Sequence, residues 1–506
     1  MTTKRCLSAV AVVLLLMLVN SAFGGLTAWY GWEGDVNDVS GNGHAAIAYG
    51  GPGYGPGQFG LALDFDGIDD YVDAAPFQYT NDRGEFTVSF WFKVSNIAAT
   101  ATNNGFPYLF SHGMTNRSNN VSVYFLSADG ALRTHTRLMN PANPADVRGQ
   151  GGPLFTYDVA PGLADGQWHF YTLTSAADKG GTVYVDGKVK GTSASYKGNM
   201  LNLTDPICLG RRGYVGEATR YLGGPAPDDG MIDDVGLWSE ALIPGAIGRL
   251  YTYGILPPAH ILVVSDALDM NADGVQDDQG LVDWLKTEGH SVDFRPDYWN
   301  ILDPNKSAAL EAADLIVISR SATAAAYAGD LGEVTLWNAV TTPILNLHAY
   351  LAGNDGWKWI NAGTATGTAG APRMQGVDPN HPVFAGVTLS ARDPNDPNSP
   401  RDVVSVVDAS VGAGLTSFLA GLDVGQGKLL AQTITGNSAW IAEWQPGVEF
   451  YAGSGQIAGG WRLLFCAGTT AQGVFNLTAE GQEMLRNAIA HLLVAPVAPL
   501  PQSSGR

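Results

Sequence analysis

The sequence predicts two domains of different class, an all-β sandwich followed by a doubly wound α/β domain. Three observations carry this. Phe86 to Val94 alternates strictly, placing Phe86, Val88, Phe90, Phe92 and Val94 on one face, the period-2 pattern of a strand with one buried side. Asp129-Gly130 and Asp186-Gly187 each lie between strand-like runs, and that dipeptide is a strong short-range hairpin signal. From residue 259 the pattern changes to unbroken apolar runs such as His260 to Ser265, typical of strands covered on both faces, alternating with helical spacing.

The first region opens with Trp29 to Trp32 and the loop Asp38 to Gly43. Leu61 to Phe65 and Tyr71 to Asp73 follow as strand-like pieces around a tight acidic turn, where Gly67 can take angles other residues avoid. These two read as a hairpin. Val121 to Arg137 holds two runs around Asp129-Gly130, Trp168 to Leu173 is a further strand, Thr182 to Val189 repeats the Asp-Gly turn, and Met231 to Trp238 is the last strand. Ala241 to Tyr253 closes the region, and Pro257-Pro258 stiffens the connection to the next.

In this order the segments resemble the laminin-G-like (LamG) jelly roll of the concanavalin A-like lectin/glucanase superfamily. The matching pieces are Trp29 to Trp32 with Asp38 to Gly43, the Asp66-Gly67 turn, the Phe86 strand, Trp168-His169, Tyr184 to Gly187, and Ile232 to Val235 followed by Trp238. The resemblance implies a jelly-roll sandwich over residues 25–256 and a binding role directed at carbohydrate or glycoconjugate. It also implies a structural calcium between the first loop and the last strand, which suits Asp38 with Asp233 or Asp234. Read from the residues alone, alternation turns one of Asp233 and Asp234 inward, where a charge needs a cation or hydrogen-bond donors. Loop amides would serve as well as calcium.

Composition and charge set the compartment and exclude one class of partner. The chain has 506 residues, 45% of them hydrophobic and 64 of them glycine, enough for more than one core and many tight turns. Asp and Glu number 48 against 28 Lys and Arg, a formal charge of -20, which argues against nucleic acid because phosphate contacts need a basic surface. Residues 1–24 read as a signal peptide: Lys4 and Arg5 precede the apolar run Ala9 to Val19, and Ala22 to Gly24 offers small residues for cleavage. That run is short for a membrane span, an uncleaved anchor being the alternative, and no other stretch is long and apolar enough to cross a bilayer. The expected protein is exported, secreted or held at the cell surface, with a disordered tail over 496–506. Cys6 leaves with the leader, and Cys208 and Cys466 fall in different predicted domains, so each is expected as a small buried hydrophobe.

In the second region, over 257–495, the strands are His260 to Ser265, Val292 to Arg295, Asp314 to Ser319, Pro343 to Leu347 and Arg462 to Cys466. The helices are Leu281 to Leu285 with its flanks, Lys306 to Ala313, Leu331 to Val340 and Ala479 to Leu493. Asp277 and Asp278 stand where a helix wants an N-cap and an acidic first turn. Residues 360–455 are rich in Pro, Gly and Asn and read as long loops with some antiparallel strands. The region is similar to the glutamine-amidotransferase-like superfamily, in its trehalose-utilisation (ThuA-like) branch. Ile344 to Ala349 with Trp357 and Trp359, and His381 to Gly386, carry that resemblance. It implies a flavodoxin-like sheet. An amidotransferase needs a cysteine on a sharp turn after a strand, and Leu347-His348-Ala349 stands there instead, so thiol catalysis is excluded. A Ser265 or Ser319 nucleophile with His348 as base can be drawn at the strand ends. A structural, hydrogen-bonded His348 is the alternative.

Two further sets of candidates remain. Asp269, Asn271, Asp273 and Asp277, with Gly274 at the turn, place oxygen ligands as the start of a calcium loop does, but Gly280 stands where a bidentate Glu belongs. A shorter calcium loop and a solvated strand-to-helix loop both fit. Tyr108, Tyr214 and Tyr221 fall in segments that read as loops and could stack on sugars. The expected function is that of an exported binding protein with a non-catalytic α/β domain. A secreted enzyme acting on a sugar or its derivative, and a surface scaffold or adhesion protein binding other proteins, are the alternatives.

Overall fold

Five inward side chains of Phe86–Val94 build the middle of the first core, and each is fully buried. Burial of this kind stabilises by about 1.5–3 kcal/mol per large apolar side chain. The computed structural model describes residues 25–494 except 101, 114–116, 141, 144–150, 201–204, 213–219, 225–228, 257, 267–268, 270–271, 273, 364, 393, 395, 397, 412–413 and 468–474. The chain divides into two units, Met1–Ile255 and Leu256–Arg506.

The first unit is a β-sandwich of an eight-stranded and a seven-stranded antiparallel sheet. One sheet runs Lys188–Ser193, Gly180–Val185, Trp168–Ala176, Phe86–Val94, Gly230–Trp238, Leu61–Asp64, Gly53–Pro56, with Leu26–Tyr30 also paired to Gly230–Trp238. The other runs Leu154–Val159, Leu132–Arg137, Asn120–Phe125, Tyr108–His112, Ile207–Leu209, Tyr71–Ala74, Ala46–Tyr49. They meet through contacts such as Phe90 on Phe110, with ring centroids 6.1 Å apart, and Phe92 against Phe125 at 5.9 Å. The outer face of Phe86–Val94 is covered too, because Trp91, Phe170, Tyr184 and Trp238 pack with Ala246, Ile247 and Leu250 of the helix Pro244–Tyr253.

Both Asp-Gly turns are hairpins. Phe125 pairs with Leu132 and Val185 with Lys188, and Asp186 and Gly187 take φ of 53° and 69°, positive at both positions as the tightest hairpin turn requires. The Asp66–Asp70 turn is not a hairpin. Leu61–Asp64 and Tyr71–Ala74 belong to opposite sheets, so the turn crosses the sandwich. Its backbone is held by carboxylates: Asp66 accepts from Ile68 N at 2.8 Å, and Asp70 from Asp66 N at 3.0 Å. Gly67 has φ 73° and faces the Gly223 carbonyl so closely that any Cβ would overlap it.

The second unit is built on one mixed sheet of eleven strands. Ser291–Arg295, His260–Val264, Leu315–Ile318, Ile344–Asn346 and Arg462–Phe465 lie parallel in that order. The sheet continues antiparallel through Ala439–Trp444, Lys428–Thr433, Arg373–Gly376 and Val403–Ser405, with Thr416–Leu419 branching off Ala439–Trp444 and Ala365–Thr368 paired to Thr416–Leu419. A purely doubly wound sheet therefore describes only the parallel half. Residues 360–455, expected as loops with some strands, supply six strands of the sheet. Cys466 follows its strand, is buried, and has its thiol pushed up to about 12 by that burial; Cys208 is buried as well, and both are free thiols. Among the described residues no helix is long and apolar enough to cross a membrane.

Candidate ligand cleft

A bulge in the Gly230–Trp238 strand organises the cleft. The register slips between Asp233 and Gly236, and Asp234 takes a left-handed φ of 44°. The extra residue breaks alternation, so Ile232 and Val235 enter the inter-sheet core while both acids fall on the outer face beside Trp91, Phe59 and Trp29, where Asp233 and Asp234 are nonetheless buried. Asp233 accepts from Phe59 N at 3.0 Å and Asp234 N at 2.8 Å. Burial, then the nearby Asp234 charge, pushes the Asp233 carboxyl up to about 8 despite these amides. Asp234 accepts from Trp29 Nε1 at 3.0 Å. Burial drives it up to about 6, the Trp29 hydrogen bond opposes this, and the Glu33 charge adds to it.

Around Asp234 lies a cleft of about 380 Å³ lined by Trp29, Trp32, Glu33, Asp35, Asn37, Phe59 and Tyr253, among others. Trp29 and Phe59 are half-buried and present part of their rings, whereas Glu33, Asp35 and Asn37 are exposed at the rim. Trp32 is held at φ 56° with its ring stacked on Tyr30 at 5.2 Å, a conformation that costs a bulky residue about 1–2 kcal/mol. Its indole N–H is buried without an acceptor among the described residues. Glu33 accepts from Leu61 N at 3.2 and 3.3 Å, and Gly60, at φ 66°, gives it room where a Cβ would collide. Asp35 accepts from Asn37 N at 2.9 Å.

The residues singled out from the sequence fall in several places. Asp38 accepts from the backbone N–H groups of Trp29 (3.1 Å), Ser40 (2.9 Å) and His44 (2.9 Å), which satisfies its carboxylate with loop amides. Tyr108 is not on a loop: it is buried in the strand Tyr108–His112 with its ring stacked on Tyr124 at 4.5 Å, so it offers no platform. Tyr221 is half-buried near Tyr71, with ring centroids 6.2 Å apart. Tyr214, Asn271 and Asp273 lie outside the described residues. Asp269 accepts from Gly274 N at 2.8 Å, closing its own loop, and Asp277 is buried at the start of the helix Gln279–Thr287.

Ser265 and Ser319 do converge, at the point where strand order reverses between His260–Val264 and Leu315–Ile318. Each donates its hydroxyl to Asp278 Oδ2 at 2.5 Å. Asp278 occupies the N-cap position but makes no cap bond; its buried side chain points to the serines, with its pKa raised by burial against their hydrogen bonds. His348 is elsewhere engaged: Nε2 contacts the Ala322 carbonyl at 2.6 Å, and burial, reinforced by Arg320, lowers its pKa to about 3. A base held so acidic, with the serines committed to Asp278, does not form a nucleophile–base pair.

Among the described residues, two groups bring three metal-type donor atoms within 4.8 Å: Asp66, Asp69 and Asp70, and His381, Glu443 and His491. Only His381 of the second group stands in a motif legible in the sequence, His381 to Gly386. His381 Nδ1 accepts from Val383 N at 3.2 Å, which places the ring proton on Nε2. That nitrogen faces Glu443 Oε1 at 3.4 Å as a donor, so it has no lone pair for a metal, and His491 Nε2 contacts Glu443 Oε2 at 2.9 Å. The trio is a hydrogen-bonded bracket.

Trp29, Glu33, Phe59 and Tyr253 were missed as site residues because the cleft joins four separated segments, around residues 29–39, 59–60, 234 and 253–255. The available signal was local: two tryptophans and two acids within residues 29–35.

Residues 66–248 match the family described as the Concanavalin A-like lectin/glucanases superfamily, Laminin_G_3, in agreement with the jelly-roll resemblance of the first unit. No curated protein matches the chain. Among solved structures, the chain is similar to the binding domain of Paraclostridial Mosquitocidal Protein 1 (15% identity, TM-score 0.34, covering 46% of this chain and 52% of that one). It is also similar to the receptor binding domain of botulinum neurotoxin D (16%, 0.34, 49% and 56%), and to the binding domain of botulinum neurotoxin DC in complex with rat synaptotagmin II (14%, 0.32, 46% and 52%). The chain spans about half the length of these structures.

Proposed function

We propose that the protein is an exported binding protein whose sandwich recognises carbohydrate or glycoconjugate in the cleft around Asp234. One observation carries the reading: partly exposed Trp29 and Phe59 rings stand beside Glu33, Asp35 and Asn37 in one cleft of about 380 Å³. Sugars present apolar ring faces edged by hydroxyls, and a site for them combines aromatic surface with a few fixed polar groups. The superfamily match supports the ligand class by fold analogy alone. The Lys4 to Gly24 pattern supports export. The second unit, ThuA-like in its motifs, is read as non-catalytic because Ser265, Ser319 and His348 form no reacting pair.

The test is glycan-array binding by the whole protein, in calcium and again in chelator, beside a Phe59→Ala variant. Selective binding that falls at least tenfold in the variant supports the cleft. Loss of wild-type binding in chelator would add calcium to the site. No binding in either buffer would remove the carbohydrate reading and favour a protein partner.

A further inference from the structure

We propose that the cleft selects a sugar bearing a protonated amine, the ammonium facing Glu33 and Asp35 while the sugar ring rests against Trp29 and Phe59; this rests on the carbohydrate reading above. The charge inventory is one-sided. Three carboxyls, Glu33, Asp35 and Asp234, line the cleft, and among the described residues no Lys, Arg or His does. None of the three has an ion-pair partner among the described residues; Glu33 accepts from Leu61 N, Asp35 from Asn37 N, and Asp234 from Trp29 Nε1 and the Ile255 backbone. A neutral sugar would strip water from these acids and return only hydroxyl hydrogen bonds, whereas an ammonium also returns charge. Aromatic walls favour a cation as well, through the ring quadrupole.

A bare metal ion fits less well. Calcium needs six to eight oxygens converging on one point, and Glu33, Asp35 and Asp234 are not among the groups whose donor atoms come within 4.8 Å of one another. Acids spread around a cleft suit an organic cation with a body that fills it.

The experiment is isothermal titration of the whole protein at about pH 6, where aliphatic amines are charged. Three tetrasaccharides are compared: β-1,4-linked glucosamine, its fully N-acetylated counterpart, and the glucose equivalent. The same titrations are run on a Glu33→Gln, Asp35→Asn double variant, both positions being exposed. The expected result is that the amine form binds about tenfold tighter than the other two, and that the double variant brings the three within about twofold. Equal affinities in the wild type would overturn the amine preference and leave the carbohydrate reading standing. A preference that survives in the double variant would trace it to general attraction by a chain of charge -20, and would also overturn the assignment. Failure of all three sugars to bind would remove both readings.

Discussion

Glu443→Gln removes a buried charge shared by two histidines. Burial by itself would raise this carboxyl, but hydrogen bonds from His381 and His491 bring it from 4.5 down to about 2. At about 1.4 kcal/mol per pKa unit the shift corresponds to about 3 kcal/mol in favour of the folded carboxylate. Glutamine keeps one acceptor oxygen, so the expected loss is about 2–3 kcal/mol. A carboxylate whose folded pKa is depressed stabilises fully above its unfolded value, and that contribution is lost as pH falls. The window here runs from about 4.5 down to about 2. Hydrogen exchange during urea unfolding, followed in peptides from Ala439–Trp444 and Ala479–Val494, reads the second unit without interference from the first. At about pH 6 the variant should unfold at lower urea, and across the acid window the wild type should lose stability more steeply than the variant. A variant within about 0.5 kcal/mol of wild type at about pH 6, or one with an unchanged acid profile, would refute the bracket.

Asp233 has the opposite linkage. Its raised carboxyl penalises the folded state from the unfolded value of 3.8 up to about 8, so the first unit should weaken as pH rises through that window, by at most about 1.4 kcal/mol per pH unit. Asp233→Asn should flatten this slope in thermal unfolding, and an unchanged slope counts against the burial argument. Gly67→Ala, which forces a Cβ onto the Gly223 carbonyl at positive φ, should cost about 2 kcal/mol or more by chemical denaturation; a neutral result would mean the turn crosses between the sheets by another path. Asp278→Ala leaves the Ser265 and Ser319 hydroxyls without their shared acceptor and should destabilise the second unit by about 2–4 kcal/mol, whereas full stability would show the serines re-pairing freely.

Local chemistry was the legible part of this chain. Alternation in Phe86–Val94 and the turns at Asp129-Gly130 and Asp186-Gly187 depend on residues a few positions apart, and they appear in the structure as read. The Asp66–Asp70 turn defeated the same reasoning because its flanking strands pair with sequence-distant partners, Leu61–Asp64 with Gly230–Trp238 and Tyr71–Ala74 with Ile207–Leu209. Alternation also predicted one inward acid at Asp233-Asp234, and the bulge, a property of pairing rather than composition, placed both on the outer face under Phe59 and Trp29. Tyr108 illustrates the converse limit, since a short strand after Phe106-Pro107 has too few residues to show its period. The long antiparallel extension over 365–444 was read only as some strands, because four of its six strands are three or four residues long, too short to show a period.

The cleft is tested most directly by a hydrogen-exchange footprint of the whole protein with and without a saturating glycan taken from the array. Ligand bound at Asp234 should slow exchange in the backbone of residues 26–38 and 57–61, which carry Trp29, Glu33, Asp35 and Phe59, and leave the Asp186-Gly187 hairpin and the second unit unchanged. Protection confined to that hairpin, to the Tyr221 surface or to the ends of the parallel strands near Ser265 would contradict the assignment.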